Sequence, residues 1–427
     1  MSGAYETLKS RGFIYQATAD ETIQTKLATE KITFYVGFDP TGDSLHVGHL
    51  LPIMAMKKLQ EAGHTPIVLV GGATALVGDP SGKSEARPII TKETVAHNVA
   101  SLKKQLSTFI SVEDAIFVNN ADWFQDLNYI DFLRDVGSRF SINKMLTAES
   151  VKQRLETGLS FLEFNYMLLQ AYDFTVLNEK YNCTMQFGGQ DQWGNIVAGV
   201  DLTRRMNQEE VFGLTFPLLL DNQGKKFGKT AGGAVWLNTE RTSTFEYYQF
   251  WRNCDDAEVK NLLCFFTDLP VDEVERLAAL EAPAINRAKE ILAYEATKLA
   301  HGVAEAEKSF LAAGSKFGFA DTDSKIETSS AIKDIKITKN AGLEDLPTYS
   351  IPTEDFAEGQ IGLLKLLATA GLCASNGDAR RLVQGGGGYI NEERISDPKH
   401  QITETDFTDG SLILRAGKKK IRRILLG

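Results

Sequence analysis

A chain of 427 residues exceeds one ordinary core, so two or three domains are expected. With 43% hydrophobic and 24% charged residues, no membrane-length apolar run and no signal- or transit-like start in MSGAYETLKSRGF, the composition points to a cytoplasmic globular protein that meets no membrane. The net charge of −10 speaks against nonspecific nucleic-acid binding by the whole chain, and the four cysteines (183, 254, 264, 373) show no CxxC or zinc spacing, so no protein-held metal is expected.

Lys31–Pro40 (KITFYVGFDP) is β-branched and aromatic and breaks at Asp39-Pro40, which predicts a buried strand. HVGHLLPIMAMKKLQEAGH follows with helical spacing; Leu50, Ile53, Met54 and Lys57 share one side and Gly63 is the stop. Thr65–Gly72 is a second buried strand, so the three segments form a βαβ unit and imply a parallel sheet. Ala115–Asn120 and Cys183–Gly189 read as further strands, with helical stretches at Asn128–Arg139 and Ser160–Asn178. From Thr244 to Phe317 the apolar spacing is helical, whereas Asp321–Glu358 is weakly patterned and reads as a linker or loose bridge. Past Gly359, IGLLKLLATAGL and NGDARRLVQ predict two short helices, and GYINEERI and SLILRAGKKKIRRILL predict strands. From Ile361 to Gly427 there are 11 Lys/Arg and 7 Asp/Glu, a net +4 that leaves −14 on the rest. A basic module on an acidic body suits a local RNA contact, and equally a solvated tail.

Two segments carry candidate chemistry. His46-Val47-Gly48-His49 falls where a strand hands over to a helix, whose free N–H groups and dipole suit a phosphate chain. At i and i+3 the two rings would lie on one side, and Gly48 leaves room for a flat ring. It is not a zincin motif, since no glutamate follows His46. GDPSGKS (Gly78–Ser84) is not a P-loop, because Val77 stands where the first glycine is needed. Asp79 is either a turn former or a carboxylate at the ligand-binding end of a strand. In DNQGKKFGKT, Gly224 and Gly228 flank Lys225, Lys226 and Lys229, which fits a phosphate-binding loop or an exposed hairpin turn.

Together these residues resemble the class I aminoacyl-tRNA synthetases. HVGH is similar to their HIGH motif and KFGKT to their KMSKS loop. YVGFDPTGDSLHVGHL, GGATALVGDPSGKS, FNYMLLQAYDF and QFGGQDQWGNI resemble blocks of the bacterial tyrosyl family, and GLCASNGDARRLVQGGGGYIN resembles an S4-like RNA-binding module. The resemblance is strong from Phe34 to Trp251 and poor over Asp321–Glu358. It implies an enzyme that activates tyrosine with ATP and Mg2+ and loads it onto tRNA(Tyr), acting as a homodimer with an interface around Phe132–Met145. It implies that Tyr35 and Asp173 bind the phenolic hydroxyl, and that Tyr166, Gln170 and Asp79 hold the α-ammonium. Asp39, Asn120, Gln186 and Gln192 would line the tyrosine and ribose side. Gly37, Asp39, Thr41, His46, Gly48, His49 and Asp191 would contact ATP, with Thr41 and His46 on the γ-phosphate. Lys83, Arg87, Lys226 and Lys229 would clamp the leaving pyrophosphate. Val36 replaces a cysteine that touches ribose in some relatives, so no side-chain bond is expected there. Rival readings are a noncatalytic RNA-binding protein on a synthetase fold, a tryptophanyl relative, or another nucleotidyl transferase. The first needs loss of the two motifs; Tyr35, Asp173 and the S4-like module disfavour the others.

The expected architecture is α/β: a Rossmann-like parallel-sheet catalytic domain (1–243), an α-helical domain (244–320), a linker (321–358) and a small α+β S4-like domain (359–427).

Overall fold

The computed structural model describes residues 3–82, 90–220, 227–230, 233–337, 346–391, 393–408, 410–417 and 420–427. It divides into two units, one of residues 1–243 and 254–279, the other of 244–253 and 280–427.

The first unit is built on six strands: β1 (Gln16–Ala17), β2 (Thr33–Phe38), β3 (Thr65–Val70), β4 (Ile116–Asn119), β5 (Cys183–Gly189) and β6 (Phe212–Phe216). Their order is β1-β6-β5-β2-β3-β4, parallel throughout except for β1 against β6. Helices cover both faces, so β3 is buried along its whole length after Thr65, and its sequence is a continuous apolar run. β2 leads to β3 on one side and neighbours β5 on the other. The order therefore reverses between β2 and β5, and a crevice opens at their carboxyl ends.

The helix Leu50–Glu61 connects β2 to β3. Gly63 ends it at φ +97°, a conformation that a residue with a Cβ resists, and its N–H donates to Gln60 O at 2.9 Å. The predicted apolar side was too narrow. Leu51, Ala55, Met56 and Leu59 are buried as well, and so is Lys58, whereas Lys57 is half-buried; both lysines meet Asp268, Lys58 at 2.9 Å and Lys57 at 3.2 Å. The reason lies far along the chain, in the helix Val259–Phe266, which packs on Leu50–Glu61. Arg11, also buried, donates to the carbonyls of Cys264 and Thr267, both at 3.0 Å. Residues 254–279 thus belong with the sheet, a departure from the expected boundary at 243.

The predicted helix Ser160–Asn178 is two helices, Phe161–Phe164 and Tyr166–Tyr181, the first capped reciprocally by Ser160 and Glu163. Asn128 caps Tyr129–Asp135. Phe132, Val136 and Met145, on the segment expected to form an interface, are buried against Met167, Leu168 and Ala171 of the Tyr166–Tyr181 helix. The apolar side chains left exposed nearby are Ile130, Leu133, Ile142, Leu146, Leu155, Phe161 and Leu162. The helices Lys92–Leu106 and Trp193–Asn207 and the strands β1 and β6 were not foreseen.

In the second unit the helices Thr244–Arg252, Ile285–His301 and Val303–Phe317 pack together. From Ala320 to Ser330 the segment after them is tied down rather than loose. Ala320 N–H donates to the buried Glu290 at 2.9 Å, Asp321 caps the N–H groups of Lys325 and Ile326, and Ser330 Oγ donates to Glu295 at 2.6 Å. Thr348–Ile351 pairs in parallel with Lys420–Leu426, so it is an edge of the C-terminal sheet. That sheet runs Glu393–Ile395, Gly388–Ile390, Ser411–Ala416, Lys420–Leu426, Thr348–Ile351. The helices Leu363–Thr369 and Asn376–Gln384 stand where the sequence put them and close its core with Leu363, Leu366, Leu367, Ala379 and Val383.

Candidate active site

The crevice beyond β2 and β5 is a cavity of about 490 Å3. Its wall includes Tyr35, Gly37, Asp39, Thr41, His46, Gly48, His49, Asp79, Tyr166, Gln170, Asp173, Gln186, Asp191 and Gln192, so the structure gathers residues spread over 158 positions of sequence. Asn120 alone of the described residues expected on the tyrosine side is absent from the wall. It is fully buried behind Asp173.

The two histidines do not sit on a helix face. His46 is extended, at φ −124° and ψ 169°, and precedes a 3-10 turn, Val47–His49. The rings cap the turn reciprocally: Gly48 N–H donates to His46 Nδ1 and His46 N–H donates to His49 Nδ1, each at 3.1 Å. An Nδ1 that accepts leaves the proton of a neutral imidazole on Nε2, so both rings are fixed as Nε2–H donors. The rings lie 3.9 Å apart between centroids. Gly48 is needed for this cap itself, since a Cβ there would meet His46 Cε1 at 2.9 Å. The KFGKT segment closes on the same turn. Val47 N–H donates to Val235 O and Val235 N–H to Gly228 O, at 3.0 and 2.9 Å. Gly228 has φ +84°, and a Cβ there would meet Val47 Cγ2 at 2.3 Å. Lys229 lies in a short strand, Lys229–Thr230, paired with Gly233–Ala234. Lys83, Arg87 and Lys226 lie outside the described residues.

Tyr35 and Asp173 are on the cavity wall and nearly inaccessible, at 1% and 2% exposure. Asp173 accepts from Trp123 Nε1 at 2.9 Å and from Asn120 Nδ2 at 3.1 Å. Burial raises its carboxyl well above the ordinary carboxylate range, against the pull of those two donors. Burial, and then the nearby Asp173, raise the Tyr35 phenol likewise, so it stays neutral. The Tyr35 hydroxyl and Gln186 Oε1 are buried without a hydrogen-bond partner in the protein. Buried polar atoms are nearly always paired, so two orphans on a cavity wall mark where a polar ligand atom fits.

Asp39 anchors the next stretch, accepting from Thr74 Oγ1 and from Tyr166 OH, both at 2.7 Å. Asn120 Nδ2 also donates to Thr74 Oγ1, at 3.0 Å. The close fit explains Gly71, where a Cβ would stand 2.1 Å from Asp39 Oδ1 and 2.3 Å from Thr74 Oγ1. Asp79 accepts from Ser81 N–H at 2.9 Å and from Gln192 Nε2 at 2.7 Å. Burial raises its carboxyl above the ordinary range despite these donors. Trp123, Thr74, Ser81 and Asn195 are the polar residues of this region that sequence reading missed. Each bonds to another polar side chain of the site, and Thr74 and Ser81 also line the cavity; no motif spacing announces those bonds. Among the described residues no group of three His, Cys, Asp or Glu side chains could hold a metal ion.

Residues 27–317 match the family described as tRNA synthetases class I (W and Y), and residues 340–424 match a tyrosine–tRNA ligase SYY-like C-terminal domain. A tyrosine–tRNA ligase of Clostridium tetani is 50% identical over 427 residues, covering 100% of this chain and 99% of that protein. One from Clostridium botulinum is also 50% identical, with 100% of each covered. Among solved structures, a C-terminally truncated mitochondrial tyrosyl-tRNA synthetase of Aspergillus nidulans is 32% identical with a TM-score of 0.65, covering 73% of this chain and 93% of that one. A tyrosyl-tRNA synthetase of Archaeoglobus fulgidus, solved with L-tyrosine, shares the fold at 18% identity and a TM-score of 0.56, over 72% of this chain and 99% of that one.

Proposed function

The chain belongs to the class I tRNA synthetases of the tryptophan and tyrosine group, and from that premise we infer that it joins L-tyrosine to tRNA(Tyr) at the expense of ATP. The observation that carries the choice of tyrosine is the buried Tyr35 hydroxyl beside Asp173, a donor–acceptor pair at the cavity wall that suits a phenol. Phenylalanine would leave the Tyr35 hydroxyl unpaired and bring Asp173 no donor beyond Trp123 and Asn120, and tryptophan would bring no hydroxyl to either.

In the first step the tyrosine carboxylate attacks the α-phosphorus of ATP, and the bond to the β,γ-diphosphate breaks to release pyrophosphate. The nucleophile is the substrate's own, so positioning and charge stabilisation supply the catalysis. Asp79, Tyr166 and Gln170 take the α-ammonium. Gly37, Asp39, Gly48, His49 and Asp191 contact the nucleotide. His46 Nε2–H and Thr41 donate to the γ-phosphate as charge shifts onto it. Lys226 and Lys229, with Lys83 and Arg87, hold the departing pyrophosphate. Mg2+ would come with ATP as part of the substrate and would supply charge neutralisation on the phosphates. In the second step the 3′-terminal ribose hydroxyl of tRNA attacks the adenylate carbonyl, releasing AMP, while the basic C-terminal module holds the RNA. Homodimerisation is proposed through the exposed apolar side chains from Ile130 to Leu162 rather than the buried Phe132 and Met145. A cytoplasmic location suits these substrates, and among the described residues no helix is long and apolar enough to cross a membrane.

The test is exchange of labelled pyrophosphate into ATP. It should require tyrosine; exchange driven by tryptophan in its place would sink the substrate assignment.

A further inference from the structure

We propose that Asn195 is a positioning residue that keeps the carbonyl oxygen of Gln170 turned toward the substrate ammonium. This rests on the preceding assignment of Gln170, Tyr166 and Asp79 to that group.

Asn195 lies in the first turn of the helix Trp193–Asn207, 3% exposed, behind the cavity wall rather than on it. Its Nδ2 reaches Gln170 Oε1 at 3.0 Å, Gln192 Oε1 at 3.2 Å and, more weakly, Ser81 Oγ at 3.4 Å. A glutamine amide can turn either end to a neighbour, so something must decide which end faces a ligand. Here the decision begins at Asp79, which accepts at both oxygens, from Ser81 N–H and from Gln192, and as the carboxylate that pairs with an ammonium can only accept. Gln192 must therefore present Nε2 to Asp79 Oδ2, which it does at 2.7 Å. Its Oε1 is then left facing Asn195, which must answer with Nδ2. The second hydrogen of that same amide nitrogen fixes Oε1 of Gln170. The Ser81 branch has the same polarity, since its hydroxyl also bonds Asp79 as a donor and so offers Asn195 an acceptor. A carbonyl oxygen has two lone pairs. Gln170 Oε1 can hold Asn195 with one and accept from an ammonium with the other. If the amide were reversed, its NH2 would confront the positive charge.

Asn195→Asp tests this with almost no change in volume, replacing the donor by an acceptor and so reversing the polarity demanded of Gln170. Asn195→Ala removes the donor without adding an acceptor, and serves should the first variant fail to fold. Binding of tyramine, which keeps the ammonium, and of 3-(4-hydroxyphenyl)propionate, which lacks it, is measured by calorimetry on the full chain, alongside pyrophosphate exchange. Expected are a tenfold or larger rise in the tyramine dissociation constant and the tyrosine KM for Asn195→Asp, on the order of a lost charge-assisted hydrogen bond, and a smaller rise for Asn195→Ala. The propionate affinity and the KM for ATP should stay within about twofold. Equal weakening of both analogues, or of neither, would overturn the proposal, since Asn195 would then only support the fold or do nothing. Lack of tyrosine-dependent exchange by the wild-type chain would instead overturn the functional reading on which it rests.

Discussion

Replacing Tyr35 by phenylalanine should make the free protein no less stable while making it a poorer judge of its substrate. The Tyr35 hydroxyl is fully buried and has no partner in the protein. Holding such a group costs about 1–3 kcal/mol, so its removal raises stability by up to that amount. No cavity larger than one oxygen is left, and the ring keeps its packing on Phe174 at 5.3 Å between centroids. When tyrosine binds, the sign reverses. A neutral hydrogen bond contributes about 0.5–1.5 kcal/mol, so kcat/KM for tyrosine should fall about two- to thirteen-fold, at 1.36 kcal/mol per factor of ten. Phenylalanine loses nothing, because the variant no longer strands a hydroxyl against its ring. The ratio of the two kcat/KM values in pyrophosphate exchange, with a thermal unfolding scan of the same samples, gives both signs. A lowered melting temperature together with an unchanged tyrosine/phenylalanine ratio would refute the reasoning, for it would mean that the hydroxyl serves the fold.

His46→Ala should slow adenylate formation on the order of a hundredfold while changing tyrosine affinity little; single-turnover kinetics against equilibrium binding separates the two, and equal losses would make His46 a structural cap alone. Asp79 must be ionised to pair with an ammonium, and burial raises its carboxyl, so kcat/KM for tyrosine should begin to fall with acid above the ordinary carboxylate range. A pH profile in which Asp79→Asn keeps that limb would contradict this. The raised group also has a stability signature in the free protein. Because the folded state holds the proton more tightly than the unfolded chain, this carboxyl's contribution declines as pH rises from the unfolded value to the folded one. Asp79→Asn should remove that slope in pH-dependent denaturation. Phe161→Asp places a charge on the large apolar side chain most exposed among the described residues, at 71%; sedimentation should show monomers, and an unchanged dimer would move the interface elsewhere.

The parallel sheet was legible because strands buried on both faces leave apolar runs, as in Thr65–Val70, and because Gly63 announces the end of a helix. The cavity wall was legible through motifs, since Tyr35, Asp79, Tyr166, Asp173 and Gln192 occupy recognisable blocks. What escaped was whatever depends on a partner distant in sequence. Lys58 turns inward only because Asp268 is there, some 210 positions on. Thr348–Ile351 looked like linker because a short edge strand acquires meaning only from Lys420–Leu426. Trp123 and Asn195 bond to side chains of the cavity wall and have no spacing of their own. The histidine pair was found, but its geometry was misjudged: nothing in HVGH says that each ring will cap the other's backbone.

The path of the chain between the two units bears on how it can be divided. It leaves the first unit after Ser243, re-enters at Cys254 and leaves again after Ala279. A fragment ended at Ser243 would contain every strand of the sheet and both the HVGH and KFGKT motifs, yet it would lack the carbonyls of Cys264 and Thr267 that receive the buried Arg11 guanidinium. The shortest fragment that keeps the first unit whole ends at Ala279, and it carries Thr244–Asn253 as a stretch of the other unit cut off from its helical neighbours. Subcloning at the apparent end of the catalytic domain should therefore give insoluble protein.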